Sequence, residues 1–110
     1  MFGLFSKKEM NEAAAKAFWE WFSEKEDWII DSMNSKDSNS SDVIWAIDAQ
    51  IKPVFPYCKR ELEFLLGFND EKGEFFFYHF GDRSLKRDAA TLAGMMPANI
   101  AARWTFIAKK

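Results

Sequence analysis

The stretch Glu61-Leu62-Glu63-Phe64-Leu65-Leu66-Gly67-Phe68, then Asn69-Asp70-Glu71-Lys72-Gly73, then Glu74-Phe75-Phe76-Phe77-Tyr78-His79-Phe80, decides the fold. In its first part Leu62, Phe64, Leu66 and Phe68 alternate with Glu61, Glu63, Leu65 and Gly67. That period of two predicts a half-buried strand. The polar segment 69–73 predicts a turn, with Gly73 available for positive φ. Residues 74–80 predict the returning strand of a hairpin.

Both faces of that second strand carry rings. Phe76, Tyr78 and Phe80 take one side, and Phe75, Phe77 and His79 take the other. A sheet covered by helices on one side has a single inner face. Leu62, Phe64, Leu66 and Phe68 already supply it, together with Trp104 and Phe106 of a last strand over 100–109. Leu65, Phe75, Phe77, His79 and Ile107 are therefore expected to form an outward row. An uncovered row of this kind is an association surface. The N-terminal helix, a second copy of the chain, or another protein or ligand would cover it. A homodimer is the preferred expectation, at roughly 600–1,000 Å² buried per subunit.

Upstream, residues 9–32 predict a helix, with Met10, Ala14, Ala17, Phe18, Trp21, Trp28 and Ile29 spaced by threes and fours. Trp19 and Phe22 widen its stripe, so it is expected to touch more than one element. Residues 34–41 read as a polar loop. A second helix begins near Asn39 or Ser40 and carries Val43, Ile44, Ile47, Ile51, Val54 and Phe55. Pro53 is expected to kink or end it, and Trp45 stands off its main stripe. Downstream, Gly81–Ser84 is a turn in which Asp82 or Ser84 can cap a third helix. Leu85, Ala89, Leu92, Ala93 and Met96 form one face of that helix, and Pro97 stops it. The expected order is ααββαβ. It predicts a two-layer α+β domain, a hairpin plus a C-terminal strand packed by helices. The third helix is long enough to return the last strand parallel to 74–80.

The chain has 110 residues, natural for one domain, with residues 1–8 as a flexible or docking tail. Its aromatic content is 17 %, including 12 Phe and 5 Trp, which suits both a small core and an interface. The net charge of -2 argues against a general nucleic-acid binder. No stretch approaches a membrane-spanning run, and Met1–Lys8 does not read as a signal peptide. Cys58 is the single cysteine, so no intrachain disulfide can form and a reducing cytoplasm is expected.

Catalytic patterns do not emerge. His79 is the single histidine, and no nucleophile–base pattern surrounds it. One Cys and one His fall short of a zinc ligand set, and no phosphate-binding glycine loop occurs, so neither metal nor cofactor is expected. Glu61 and Glu63 share a strand face without an assignable partner. Arg83, Lys86 and Arg87 stand at the start of the third helix, where cations and helix terminus together would hold an anion. The alternative to an interaction module is a ligand pocket or small enzyme built on Tyr57, Tyr78, His79 and Arg103.

Phe18-Trp19-Glu20-Trp21-Phe22, the hairpin, the helix ending at Met96-Pro97 and the terminal Arg103-Trp104-Thr105-Phe106 together resemble small uncharacterised bacterial domains of α+β type. The resemblance spans most of the chain. It implies a bacterial cytoplasmic protein and transfers no catalytic residue.

Overall fold

A computed structural model describes residues 9–34, 40–69 and 72–110. The expectations for residues 1–8, for most of the polar loop and for the tip of the hairpin lie outside the described residues. The elements run α1 (Glu12–Asn34), α2 (Ser40–Ile51), a 3-10 turn (Lys52–Val54), β1 (Glu63–Asn69), β2 (Lys72–Tyr78), α3 (Arg83–Gly94), α4 (Ala98–Ala101) and β3 (Trp104–Lys109). This is an α+β fold with a three-stranded mixed sheet.

The sheet order is β1-β2-β3. β1 and β2 are antiparallel, whereas β2 and β3 are parallel. Helix α3 makes the crossover that parallel pairing requires. One expected feature changes: residues 100–103 are not strand. After Pro97 the chain makes the short helix α4, which buries Ile100 before β3 begins at Trp104.

The starts of α1 and α3 and the end of α2 have local reasons. Asn11 caps α1, its Oδ1 accepting from the Ala14 N–H at 3.0 Å. The Asn11 N–H donates to the Val54 carbonyl at 2.8 Å, which fixes the start of α1 beside the end of α2. Pro53 turns α2 into the 3-10 turn, as its missing donor requires. Asp82 caps α3 by accepting from the Leu85 N–H at 3.0 Å.

Helix α1 packs across the inner face of the sheet. Its buried positions are Ala15, Phe18, Trp19, Phe22, Glu26, Ile29 and Ser32. The stripe is thus rotated from the expected one: Ala17 and Trp28 are exposed, and Trp19 and Phe22 are central. Phe22 meets Trp104 edge to face at 5.0 Å, and Phe18 meets Phe75 at 6.3 Å. The Trp19 Nε1–H donates to the Leu92 carbonyl at 2.9 Å and ties α1 to α3.

The hairpin register corrects the expected outward row. Asn69 pairs with Lys72, Leu66 with Phe75, Leu65 with Phe76 and Phe64 with Phe77. Even-numbered residues of β1 therefore stand opposite odd-numbered residues of β2, and directly opposite residues share a face. Phe75 and Phe77 join Phe64 and Leu66 on the inner face, at 1 % and 0 % exposure. Phe75 is stacked between Phe64 at 5.4 Å and Phe106 at 5.0 Å, and Phe77 stacks on Phe55 at 5.2 Å. His79 is on the same side and is also buried. Phe75, Phe77 and His79 are core residues of this chain. Leu65 and Ile107 do face outward, with Phe76 between them.

Candidate functional site

The residues expected to form a ligand pocket do not converge. The Gly73 N–H donates to the Arg103 carbonyl and the His79 N–H to the Lys109 carbonyl. Arg103 and His79 thus mark opposite ends of the β2–β3 ladder, about 20 Å apart at the rise of a strand. Tyr78 points to the other face from His79. The His79 Nδ1 accepts from the Gly81 N–H at 3.0 Å, and its carbonyl accepts from the Asp82 N–H at 2.9 Å. The imidazole shapes the turn that follows β2.

Arg103 is engaged elsewhere. Its guanidinium pairs with the buried carboxylate of Glu26 on α1. The second oxygen of Glu26 accepts from Trp104 Nε1 at 3.0 Å. Two neighbours at the start of β3 therefore satisfy one buried acid.

The cationic group at α3 is also used within the fold. Arg87 binds the buried Asp88, with Nε 2.9 Å from Oδ1. The Tyr57 hydroxyl donates to Asp88 Oδ2 at 2.6 Å. Burial, then the bond to Asp88, holds the Tyr57 phenol well above the ordinary tyrosine range. Its own hydrogen bond to Asp88 likewise raises the Arg87 guanidinium. The Asp82 carboxylate already occupies the first turn of α3, where an anion would sit. Arg83 and Lys86 are exposed, and the hollow beside Arg87 is lined by Glu9 and Glu12 as well. An anion site is not assembled here.

A different surface stands out. Between α2 and β1 lies a groove of about 890 Å³, lined by Ile44, Trp45, Asp48 and Lys52 on one wall. Residues 61–65, Tyr78 and Phe80 form the other. Trp45 is 78 % exposed and Leu65 56 % exposed. Val43, Ile47 and Ile51 bury the inner stripe of α2; Ile44 falls beside that stripe and Trp45 nearly opposite it. Phe80 is also exposed and adopts φ 54, a left-handed conformation rare for a bulky residue. The Arg60 guanidinium lies over its ring at 4.9 Å. The position of Trp45 off its helix stripe was the one sequence signal for this wall.

Beside the groove runs an unpaired strand edge. Gly73 and His79 direct their main chain toward β3, so alternate residues Glu74, Phe76 and Tyr78 direct theirs toward β1. Their partners Gly67, Leu65 and Glu63 complete those bonds. Phe64, Leu66 and Phe68 present their N–H and C=O groups to the open side. Among the described residues, nothing bonds to them.

Among the described residues, no group of three or more His, Cys, Asp or Glu could hold a metal ion, and no buried side-chain polar atom lacks a partner. No described helix is long and apolar enough to cross a membrane. Comparison with protein-family models, curated proteins and solved structures finds no match for this chain.

Proposed function

We propose that this chain is a protein-interaction module whose working surface is the groove between α2 and β1. The observation that carries this is Trp45, held in water on the wall of an apolar groove beside an open strand edge. Tryptophan is enriched among residues that dominate binding energy, and solvating such a ring in the free chain leaves its burial available to a partner. The left-handed Phe80 at the same groove supports the reading, because backbone strain persists mainly where function uses it. The groove offers main-chain groups and carboxylates rather than converging buried polar side chains, which favours a peptide over a small molecule. The proposed setting is a reducing cytoplasm, which the single thiol Cys58 supports. Selection from a random peptide library tests the reading. Peptides are expected that bind the chain and lose binding to Trp45→Ala. Peptides that bind both proteins alike would contradict it.

The outer sheet face supports self-association as a second activity. Leu65, Phe76 and Ile107 lie in one row across the three strands, on the face opposite α1. A two-fold axis along the strands would bring the two copies' Phe76 rings together and set each Leu65 against an Ile107. Sedimentation should give a dimer that Phe76→Glu converts to a folded monomer. A wild-type chain that stays monomeric at high concentration would remove this reading and leave the groove untouched.

A further inference from the structure

We infer that the occupant of the groove is an extended segment of alternating apolar and cationic residues, which adds to the free edge of β1 as an antiparallel fourth strand. The inference rests on the groove being the binding surface and names what it binds. Two observations carry it beyond apolarity. The first is the unpaired main chain of Phe64, Leu66 and Phe68, which offers three donors and three acceptors in strand spacing. Such an edge is a template for another strand unless charge or proline blocks it. Residues 64–68 contain neither. The opposite edge, β3, is flanked by Arg103 and ends in Lys109 and Lys110.

The second observation is charge. Asp48, Glu61 and Glu63 line the groove against Lys52, with the Arg60 guanidinium over Phe80 at its end, which leaves acids in excess. Among the described residues, none of the three acids forms an ion pair. A cationic segment relieves that excess, whereas an acidic one adds to it.

The pleat sets the order of side chains in the guest. In an antiparallel pair, residues opposite Phe64 and Leu66 exchange main-chain bonds with them and share their face. Those guest residues are apolar and meet Phe64, Ile44 and Trp45. The alternate guest residues fall on the other face, beside Glu61 and Glu63, and are cationic. Their N–H groups point away from β1.

The probe is a capped heptapeptide, Val-Lys-Val-Lys-Val-Lys-Val, titrated into the full chain by calorimetry with amide shifts followed by NMR. Saturable binding is expected, with shifts concentrated at Phe64, Leu66, Phe68 and the Trp45 indole. Replacing lysine by glutamate in the peptide should weaken binding at least tenfold. N-methylation of the valines should abolish it, and N-methylation of the lysines should leave it within about threefold. Glu61→Gln with Glu63→Gln should weaken it about fivefold, less at high salt. No saturable binding of the heptapeptide overturns the inference, and so does binding that survives valine methylation or prefers the glutamate peptide. Two other occupants also overturn it. A second copy would show as doubled mass with the 64, 66 and 68 amides protected in the free protein. This chain's own residues 2–5 would show as intramolecular NOEs to the Trp45 ring. Library peptides that need Trp45 while the heptapeptide fails would leave the groove standing and sink only the added strand.

Discussion

Gly73 and Trp104 stand opposite each other across β2 and β3, so close that a Cβ on Gly73 would lie 2.6 Å from Trp104 Cε3. The glycine is required for space. Its φ is not positive, contrary to the turn role expected for it. The indole fills the place of the missing side chain and there meets Phe22 and Phe68. Gly73→Ala must displace a buried ring that is also hydrogen bonded. Destabilisation of about 1–3 kcal/mol is expected from urea unfolding. An unchanged midpoint would mean that Trp104 does not lie over Gly73.

Glu26 is the polar anchor of the same corner. Its carboxylate accepts from the Trp104 indole and pairs with Arg103. Glu26→Ala leaves the buried indole N–H without an acceptor and should cost about 2–4 kcal/mol. Glu26→Gln keeps an acceptor for the indole and should cost clearly less. Equal losses in the two variants would show that volume, not hydrogen bonding, sets the effect.

Tyr57 gives the fold an alkaline dependence with a definite sign. Its phenol holds its proton above the ordinary 10.0 because it is partly buried and donates to Asp88. Below pH 10 both folded and unfolded phenols are protonated, and the contribution is full. As pH rises further the unfolded phenol ionises first, so this contribution is lost toward the folded pKa. Tyr57→Phe should be less stable than wild type at neutral pH by about 0.5–1.5 kcal/mol. The gap should narrow as pH rises above 10 in thermal unfolding. A gap independent of pH would separate the phenol from Asp88.

Phe80 combines backbone strain with exposure. A non-glycine residue in the left-handed region costs about 1 kcal/mol, and the ring, 42 % exposed, offsets part of that through its contacts with Tyr78 and Arg60. Phe80→Gly, which relieves the strain but removes those contacts, should therefore leave stability within about 1 kcal/mol of wild type. It should also weaken peptides selected on the groove. A variant that is destabilised by more than 1 kcal/mol would place Phe80 in the core rather than at the groove.

The sequence made the hairpin, the proline stop after α2, the Asp82 cap and the α+β class legible, because each follows from local pattern. The alternation Leu62–Phe68 has one apolar side, so its inner face was readable. β2 has rings on both sides, so its pattern could not choose a face. The choice depended on whether the connection left Asn69 paired with Lys72, and composition does not report that parity. Gly73 held the answer, since the face that receives Trp104 must carry no side chain there. In α1, apolar Ala17 and Trp28 on the exposed side blurred the stripe. The groove was less legible still. It joins Trp45, Leu62 and Phe80, which are distant in sequence, and the strand edge beside it offers main-chain groups, which all residues share.

The proposed capture of a partner takes place on the surface formed by α2 and the edge of β1. It is tested most directly by titrating the isotope-labelled chain with the tightest library-selected peptide and mapping the backbone and indole shifts. One saturable process is expected, with the largest shifts at the Trp45 indole and the amides of Ile44, Phe64, Leu65, Leu66 and Phe80. Shifts centred instead on Arg83, Lys86 and Arg87 at the start of α3, with Trp45 unmoved, would contradict it.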